Sequence, residues 1–512
     1  MTTHPTDTTP APLDALRRAA KRLHKAYERG DRQAVLQIRQ WLGDKPALKH
    51  ADFLHAVARE RGFPSWPKLK VTVEAEGLSR AEARERFGRA LLLGQKVWIE
   101  RLLSQYPDLA AGHVHLACAT YDVGAVRDAL AADPKLATQT FGGRRPILHL
   151  CFSHWGRLGF GAPADALAIA QMLVAAGADV NDGTPSEPGS DHLLPVLYGA
   201  ISHAQDADLV RYLLDEGANP NDNESLYHAT EHRDLRALEM LLARGAVVAG
   251  TNAFFRAMDF DDLRAVEMMI AARADVNEGV SAHPSGPATE GLSALHHAAQ
   301  RGVSVKMVEA LVAHGAQLDV RRDGLTAYAV ARIYGSDHVA EALAHAGVPQ
   351  DMPPGVAALV AGQGPLDPAT LPDEVRALAC ELAVWPDSLP RLKQLIAAGL
   401  EWDRPNRQGL TPVQMAGWSG LPDTMAFFLK MRPDLSHVNG YGGTLLSTII
   451  HGSENAGPVE GQDHVACLEL ALKEGVAIPR PALRHAGRED VLAFLEDWAE
   501  RYPGQVVDHG IA

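Results

Sequence analysis

Apolar residues recur along this chain in paired short runs, and residues 409–429 show the design most completely. They read G-L-T-P-V-Q-M-A-G-W-S-G-L-P-D-T-M-A-F-F-L. Thr411 stands where a helix N-cap belongs, and Pro412 follows at the first helical position. Ala416 and Gly417 are small, so this helix can press closely on a neighbour. Gly420 permits a turn, and Pro422 suits the start of a second helix. Met425, Phe428 and Leu429 recur at helical spacing and give that helix one apolar face. The pattern predicts two short helices and a turn. The pair is too short to bury its apolar face alone and needs neighbours of the same design.

The chain supplies them. Leu295-His296-His297-Ala298-Ala299 opens another unit, which continues through Val308, Leu311 and Val312 and closes at Gly315-Ala316-Gln317-Leu318-Asp319. Further closures are Gly177-Ala178-Asp179-Val180-Asn181 and Gly217-Ala218-Asn219-Pro220-Asn221. In these motifs the sequence resembles the ankyrin-repeat family of bacterial type, whose pattern is a G-x-T-P-L-H-x-A-A opening, a second helix and a G-A-D-V-N closure. The resemblance covers roughly residues 85–500, with no unit perfect but the recurrence in register. It implies an all-α solenoid of stacked helix-turn-helix units that binds other proteins through a concave groove and its loop tips. It also implies that His115, His149 and His296, in the T-P-L-H slot, hydrogen-bond between neighbouring loops.

Taken in order, residues 1–12 read as a disordered polar tail and residues 13–80 as a helical module. The first run, 13–28, is basic and amphipathic. It reads as a helix packed on the next, the alternative being a nucleic-acid or membrane-surface helix. Asp31 caps a second helix. The module ends G-F-P-S-W-P-K-L-K, where Phe63 and Trp66 either pin its last helix or form a partner-binding aromatic patch. A first array spans 84–350. Its third unit carries an insertion at 155–164. From Gly217 to Gly245 to Arg273 the step is 28 residues, and Arg273 replaces a Gly that would end the helix in the left-handed conformation. Residues 351–372 are rich in proline and read as a linker or irregular segment. A second array with a C-terminal cap spans 373–512. Its charged Arg488, Glu489, Asp490, Glu496 and Asp497 suit a solvent-facing end. The expected shape is elongated, with a bend or hinge near 350–373.

Composition narrows the chemistry. The 46% hydrophobic content of the 512 residues suits a folded soluble chain, and the net charge of −14 argues against general nucleic-acid or anionic-membrane binding. The start lacks a signal-peptide core, and no run approaches the ~20 apolar residues of a membrane helix. The expected location is cytoplasmic. The four cysteines, Cys118, Cys151, Cys380 and Cys467, form no C-x-x-C. They read as buried packing residues in a reducing compartment, a disulfide or metal pair being the alternative. No H-E-x-x-H, P-loop, G-x-G-x-x-G or G-x-S-x-G motif occurs. The expectation is a non-catalytic scaffold or adaptor with no catalytic residue, metal or cofactor. Its partners are one or more proteins, with no nucleic acid and no membrane. The alternative is an enzyme with a non-local His/carboxylate site in the interrupted region or the N-terminal module. The expected partner contacts are tip residues Arg321, Arg322, Arg404, Asn406 and Arg407; the planar guanidinium groups of the arginines suit carboxylates.

Overall fold

The computed structural model describes residues 12–508 apart from 46, 47, 49, 188, 283–290, 458, 486 and 487. The expected N-terminal tail therefore lies, but for its last residue, outside the described residues. The described residues are mostly helical, with strands only as short two-residue or three-residue pieces.

Residues 412–429 form the predicted pair. Pro412–Trp418 is a helix in which the Thr411 hydroxyl accepts from the Gln414 amide and the Gln414 side chain answers to the Thr411 amide. That reciprocal cap satisfies two otherwise orphaned donors. Pro422–Leu429 follows and buries Met425, Phe428 and Leu429, each contributing roughly 1.5–3 kcal/mol. The small residues on the first helix have a visible purpose. A Cβ on Gly417 would stand 2.7 Å from Ile449 Cγ1, on the first helix of the next unit, Leu445–Asn455. First helices stack on first helices and second on second, and one hydrophobic core runs from Val114 to Trp498.

The closing motifs are laced by one repeated contact. Asn181 Nδ2 donates to Gly217 O at 3.1 Å, and Asn181 Oδ1 accepts from the Asn219 amide at 2.7 Å. Asn221 does the same toward Gly245 and Val247, and Asn277 toward Gly315 and Gln317. An asparagine at this place carries both a donor and an acceptor, so one side chain serves both backbone groups of the neighbouring loop. Arg273 keeps the same closure geometry without glycine. Its φ is 70°, beside 93° at Gly217, 84° at Gly245 and 89° at Gly315. The junction is thus conserved in shape at the cost of a left-handed arginine.

The proline-rich segment 351–372 is packed along this core. It contains the helix Pro354–Val360, with Val356, Leu359 and Val360 buried. The Leu366 amide donates to Ala398 O at 3.0 Å.

The N-terminal module is four helices, Leu13–Glu28, Arg32–Leu42, His50–Glu60 and Trp66–Glu76, around Leu16, Ile38, Phe53, Leu54 and Trp66. Asp31 and Ser65 cap two of them. Trp66 is buried in the module core and Phe63 packs against it, so both act as internal anchors. One flank of the module continues into the solenoid, where Trp66–Glu76 packs on Lys96–Gln105. The other flank meets the far end of the chain. His50–Glu60 packs on the last helix, Glu489–Arg501. Lys21 Nζ lies 3.2 Å from Glu496, and Lys25 Nζ 3.1 Å from Asp497. The stack therefore closes head to tail, in place of the open, elongated array expected from the sequence. Glu496 and Asp497 face the module rather than bulk solvent. Lys21 is only 9% exposed, so the basic face of the first helix is a contact surface within the chain. Periodicity reports which face of a helix is apolar; it does not report how far accumulated curvature carries the last unit.

Two outcomes follow from this geometry. The double change Lys21→Glu and Lys25→Glu sets like charges against Glu496 and Asp497. It is expected to open the closure, raising the radius of gyration measured by small-angle scattering while circular dichroism stays helical. Arg273→Gly removes the left-handed side-chain strain, which costs about 1–2 kcal/mol, and adds unfolded-state freedom. A net gain of roughly 0.5–1 kcal/mol in denaturant unfolding is expected.

Candidate functional site

First helices and the loop tips before them line one concave side of the stack. Several histidines there are spent on bracing. His149 Nε2 lies 2.9 Å from Phe141 O, and His437 Nε2 2.6 Å from Gly409 O. His296 spans two units, with Nδ1 2.7 Å from Ser293 Oγ and Nε2 3.0 Å from Leu325 O. His115 departs from the slot's role. It stacks on the Phe141 ring at 4.8 Å, and its Nδ1 has no hydrogen-bond partner.

Two clefts open on this side. The first, of about 630 Å³, is lined by the first helices Ser225–Ala229, Ala253–Asp259 and Ala294–Arg301 and by three loop tips. Its wall is a charge network. His228 sits between Glu224 (3.2 Å) and Glu231 (2.8 Å). Burial pulls its pKa down, but the two carboxylates outweigh burial and raise it to about 9. Arg256 reaches Glu231 at 2.7 Å and Asp259 at 3.3 Å, over the ring of Phe260 at 4.7 Å. Asp259 also receives His297 at 2.9 Å and Arg301 at 2.7 Å. His192 contacts Glu224 at 2.7 Å. Both ring nitrogens of His228 are engaged, so it acts as a fixed cation. The sequence carries a signal for this network, since Glu224, His228 and Glu231 are spaced i, i+4, i+7 on one helical face.

The second cleft, of about 580 Å³, lies earlier on the same side. It is bounded by the helices Arg80–Leu92 and Val114–Ala119 and by the tip at 141–144. Leu92 and Phe141 give it apolar surface, with Leu116 and Phe152 buried behind them, and Arg84, Arg89 and Arg144 give it a basic character. Arg84 has only a long 3.4 Å bond to Leu109 O, and Arg144 donates to Thr184 Oγ1 at 3.3 Å. Burial pulls the pKa of His115 down to about 4, and the neighbouring His149, His113 and Arg84 push in the same direction.

The tip arginines expected from the sequence converge with one another, but on carboxylates of this chain. Arg321 pairs with Asp351 at 2.8 Å and Arg322 with Glu374 at 2.7 Å. Glu374 also receives Arg407 at 2.9 Å, and Arg404 pairs with Asp373 at 3.0 Å and Glu401 at 3.4 Å. The Asn406 side chain accepts from the amides of Gln408 and Leu410, both at 3.0 Å, and so shapes its own tip. These residues link units on either side of residues 351–372. Their partners Asp351, Asp373 and Glu374 flank the proline-rich segment, and Glu401 lies further on.

All four cysteines are buried as free thiols. Burial raises every one, Cys380 to about 12. Among the described residues, no group of three or more His, Cys, Asp or Glu is arranged to hold a metal ion, and no helix is long and apolar enough to cross a membrane.

A family model described as ankyrin repeats matches three copies over residues 254–352. Those residues of the chain are ankyrin repeats. Two solved ankyrin-repeat structures resemble it. One is the human ASB11 ankyrin repeat domain, 21% identical with a TM-score of 0.36, covering 46% of this chain and 99% of that one. The other is the ankyrin repeat domain of Bcl-3, titled a unique member of the IkappaB protein family, 21% identical with a TM-score of 0.35, covering 45% of this chain and 97% of that one. No curated protein matches the chain. The matched repeats contain Phe255, Arg256, Asp259 and His297, so the first cleft lies partly on ankyrin units.

The His228 network makes stability depend on pH in one direction. Its folded pKa, about 9, exceeds the ordinary value of about 6.5. Its contribution is therefore full below about pH 6.5 and is lost as pH rises through 9. The melting temperature is expected to fall between pH 6.5 and 9.5, and His228→Gln is expected to flatten that part of the profile while lowering stability at pH 6.5 by about 1–3 kcal/mol.

Proposed function

We propose that this ankyrin-repeat protein is a non-catalytic scaffold or adaptor that binds partner proteins through its concave groove and loop tips. One observation carries the reading. Stacking consumes the apolar faces of the helices, yet the concave side keeps two clefts whose polar walls packing does not require. Glu187, Asn223 and Ser281 line the first cleft as hydrogen-bonding surface. In this reading the module at 13–80 and the arrays at 84–350 and 373–512 contribute to one continuous surface, with Arg407, its side chain 79% exposed, on the rim. Four unbridged buried thiols favour a reducing, cytoplasmic setting.

The imidazole–carboxylate network gives an enzymatic reading its best foothold. Against it, His228 is held by two carboxylates and raised well above neutrality, whereas a general base works best with a pKa near the operating pH. The network looks built to hold a shape and a charge pattern.

The test is affinity capture with the full-length protein. Glu187→Arg with Ser281→Arg fills the first cleft and is expected to reduce recovery of specific partners at least about tenfold, or roughly 1.4 kcal/mol. Reversal of Glu239, Glu267 and Glu341, all exposed on second helices, is expected to leave recovery unchanged. Partners lost with the second set and kept with the first would place binding on the convex side.

A further inference from the structure

The charge arrangement of the two clefts differs, and the difference points to a ligand. In the first cleft each cation has a carboxylate beside it. Arg256 has two, and His228 has two. At the tips, Arg321, Arg322, Arg404 and Arg407 are all paired within the chain. In the second cleft, among the described residues, Arg84, Arg89 and Arg144 form no ion pair. Their recorded polar contacts are with neutral groups, Leu109 O for Arg84 and Thr184 Oγ1 for Arg144. Burial alone lowers the pKa of Arg144, with no carboxylate to oppose it. The cleft's one carboxylate, Glu85, is exposed at its edge. On a chain of net charge −14, a concentration of cations without partners in a concavity is unfavourable by itself. A bound anion would relieve it, and low-dielectric walls would strengthen the attraction.

The cations are spread along the cleft rather than gathered at a point. Arg84 and Arg89 come from the helix Arg80–Leu92 and Arg144 from the facing tip, with the partly exposed Leu92 and Phe141 also among the lining. A single compact anion would leave the apolar surface uncovered. A chain with acidic residues on either side of an apolar one would use both. The cleft opens on the concave side, where an extended segment can run along successive units.

We propose that this cleft binds a short acidic segment of a partner protein, with carboxylates meeting Arg84 and Arg144 and an apolar side chain between them against Leu92 and Phe141. Guanidinium groups take carboxylates through paired hydrogen bonds. The inference rests on the reading of the groove as a protein-binding surface and names the class of partner for one part of it.

The test uses the full-length protein and a fluorescein-labelled peptide, Glu-Glu-Leu-Glu-Glu, read by fluorescence anisotropy. The Glu peptide is expected to bind, to weaken as salt is raised from about 0.05 to 0.5 M, and to bind about tenfold more tightly than its Gln-Gln-Leu-Gln-Gln counterpart. Arg84→Glu with Arg144→Glu is expected to abolish binding, and the milder Arg84→Gln with Arg144→Gln to weaken it about tenfold. Circular dichroism selects the variant that remains folded. Arg321→Gln with Arg407→Gln is expected to bind the peptide as well as the unaltered protein. The proposal is overturned by equal binding of the two peptides, by no binding of the Glu peptide at millimolar concentration, or by unchanged binding in the folded Arg84/Arg144 variant. It is also overturned if inorganic phosphate displaces the peptide at comparable concentration, which would mark a small-anion site. Groove-dependent capture that survives the Arg84/Arg144 changes would sink this inference and leave the scaffold reading standing. Loss of all groove dependence would sink both.

Discussion

Everything in this molecule depends on one constraint: a helix pair of this length buries its apolar face only by lying on the next pair. Met425, Phe428 and Leu429 are covered because the units before and after are present. Close approach of the first helices makes that contact possible, as at Gly417 against Ile449. The asparagine bonds between closing loops then fix each unit's register against its neighbour. Each bond is worth only about 0.5–1.5 kcal/mol, but the same bond recurs along the stack. A functional surface follows as a by-product. Stacking consumes one side of each helix, and the remaining inner side becomes a groove whose residues are free of packing duty.

Charge placement divides that groove into parts with different roles. Around His228 and Arg256, carboxylates and cations are matched one against another, which makes a rigid and nearly neutral wall. Between the tips of residues 321–326 and 404–410, Glu374 takes two arginines and ties together units on either side of the proline-rich segment. Such exposed pairs contribute little stability singly, about 0–1 kcal/mol, yet they hold the tips in one arrangement. Around Arg84 and Arg144, among the described residues, positive charge is left without an answering carboxylate. The same guanidinium chemistry thus serves as a fastening in one place and as a binding surface in another, and its neighbours decide which.

Head-to-tail closure bears on both. Lys21 and Lys25 bring the N-terminal module against the last helix, so neither terminal unit is left as a bare end of the stack. Repeat arrays ordinarily need polar caps at their ends. Here the module and the terminal helix cap one another.

The sequence by itself determined the local elements and the way they associate. Thr411, Pro412, Gly420 and the apolar spacing of Met425, Phe428 and Leu429 act within a few residues, so the helix pair and its need for neighbours were legible. The bracing role of His149 and His296 and the burial of the cysteines were legible for the same reason, since each is set by a fixed place in the unit. Arg273 shows the limit of that reasoning. Its position marked strain, and only the backbone showed that the strained closure is kept. Tertiary structure alone decided which distant charges meet. Arg322 and Glu374 are 52 residues apart, and Lys21 and Glu496 are 475 apart. A residue's type states what it can bind, but its partner depends on how small rotations add up over many stacked units. That sum is invisible to periodicity, and it is why the tip arginines looked free and the cleft at Arg84 did not stand out.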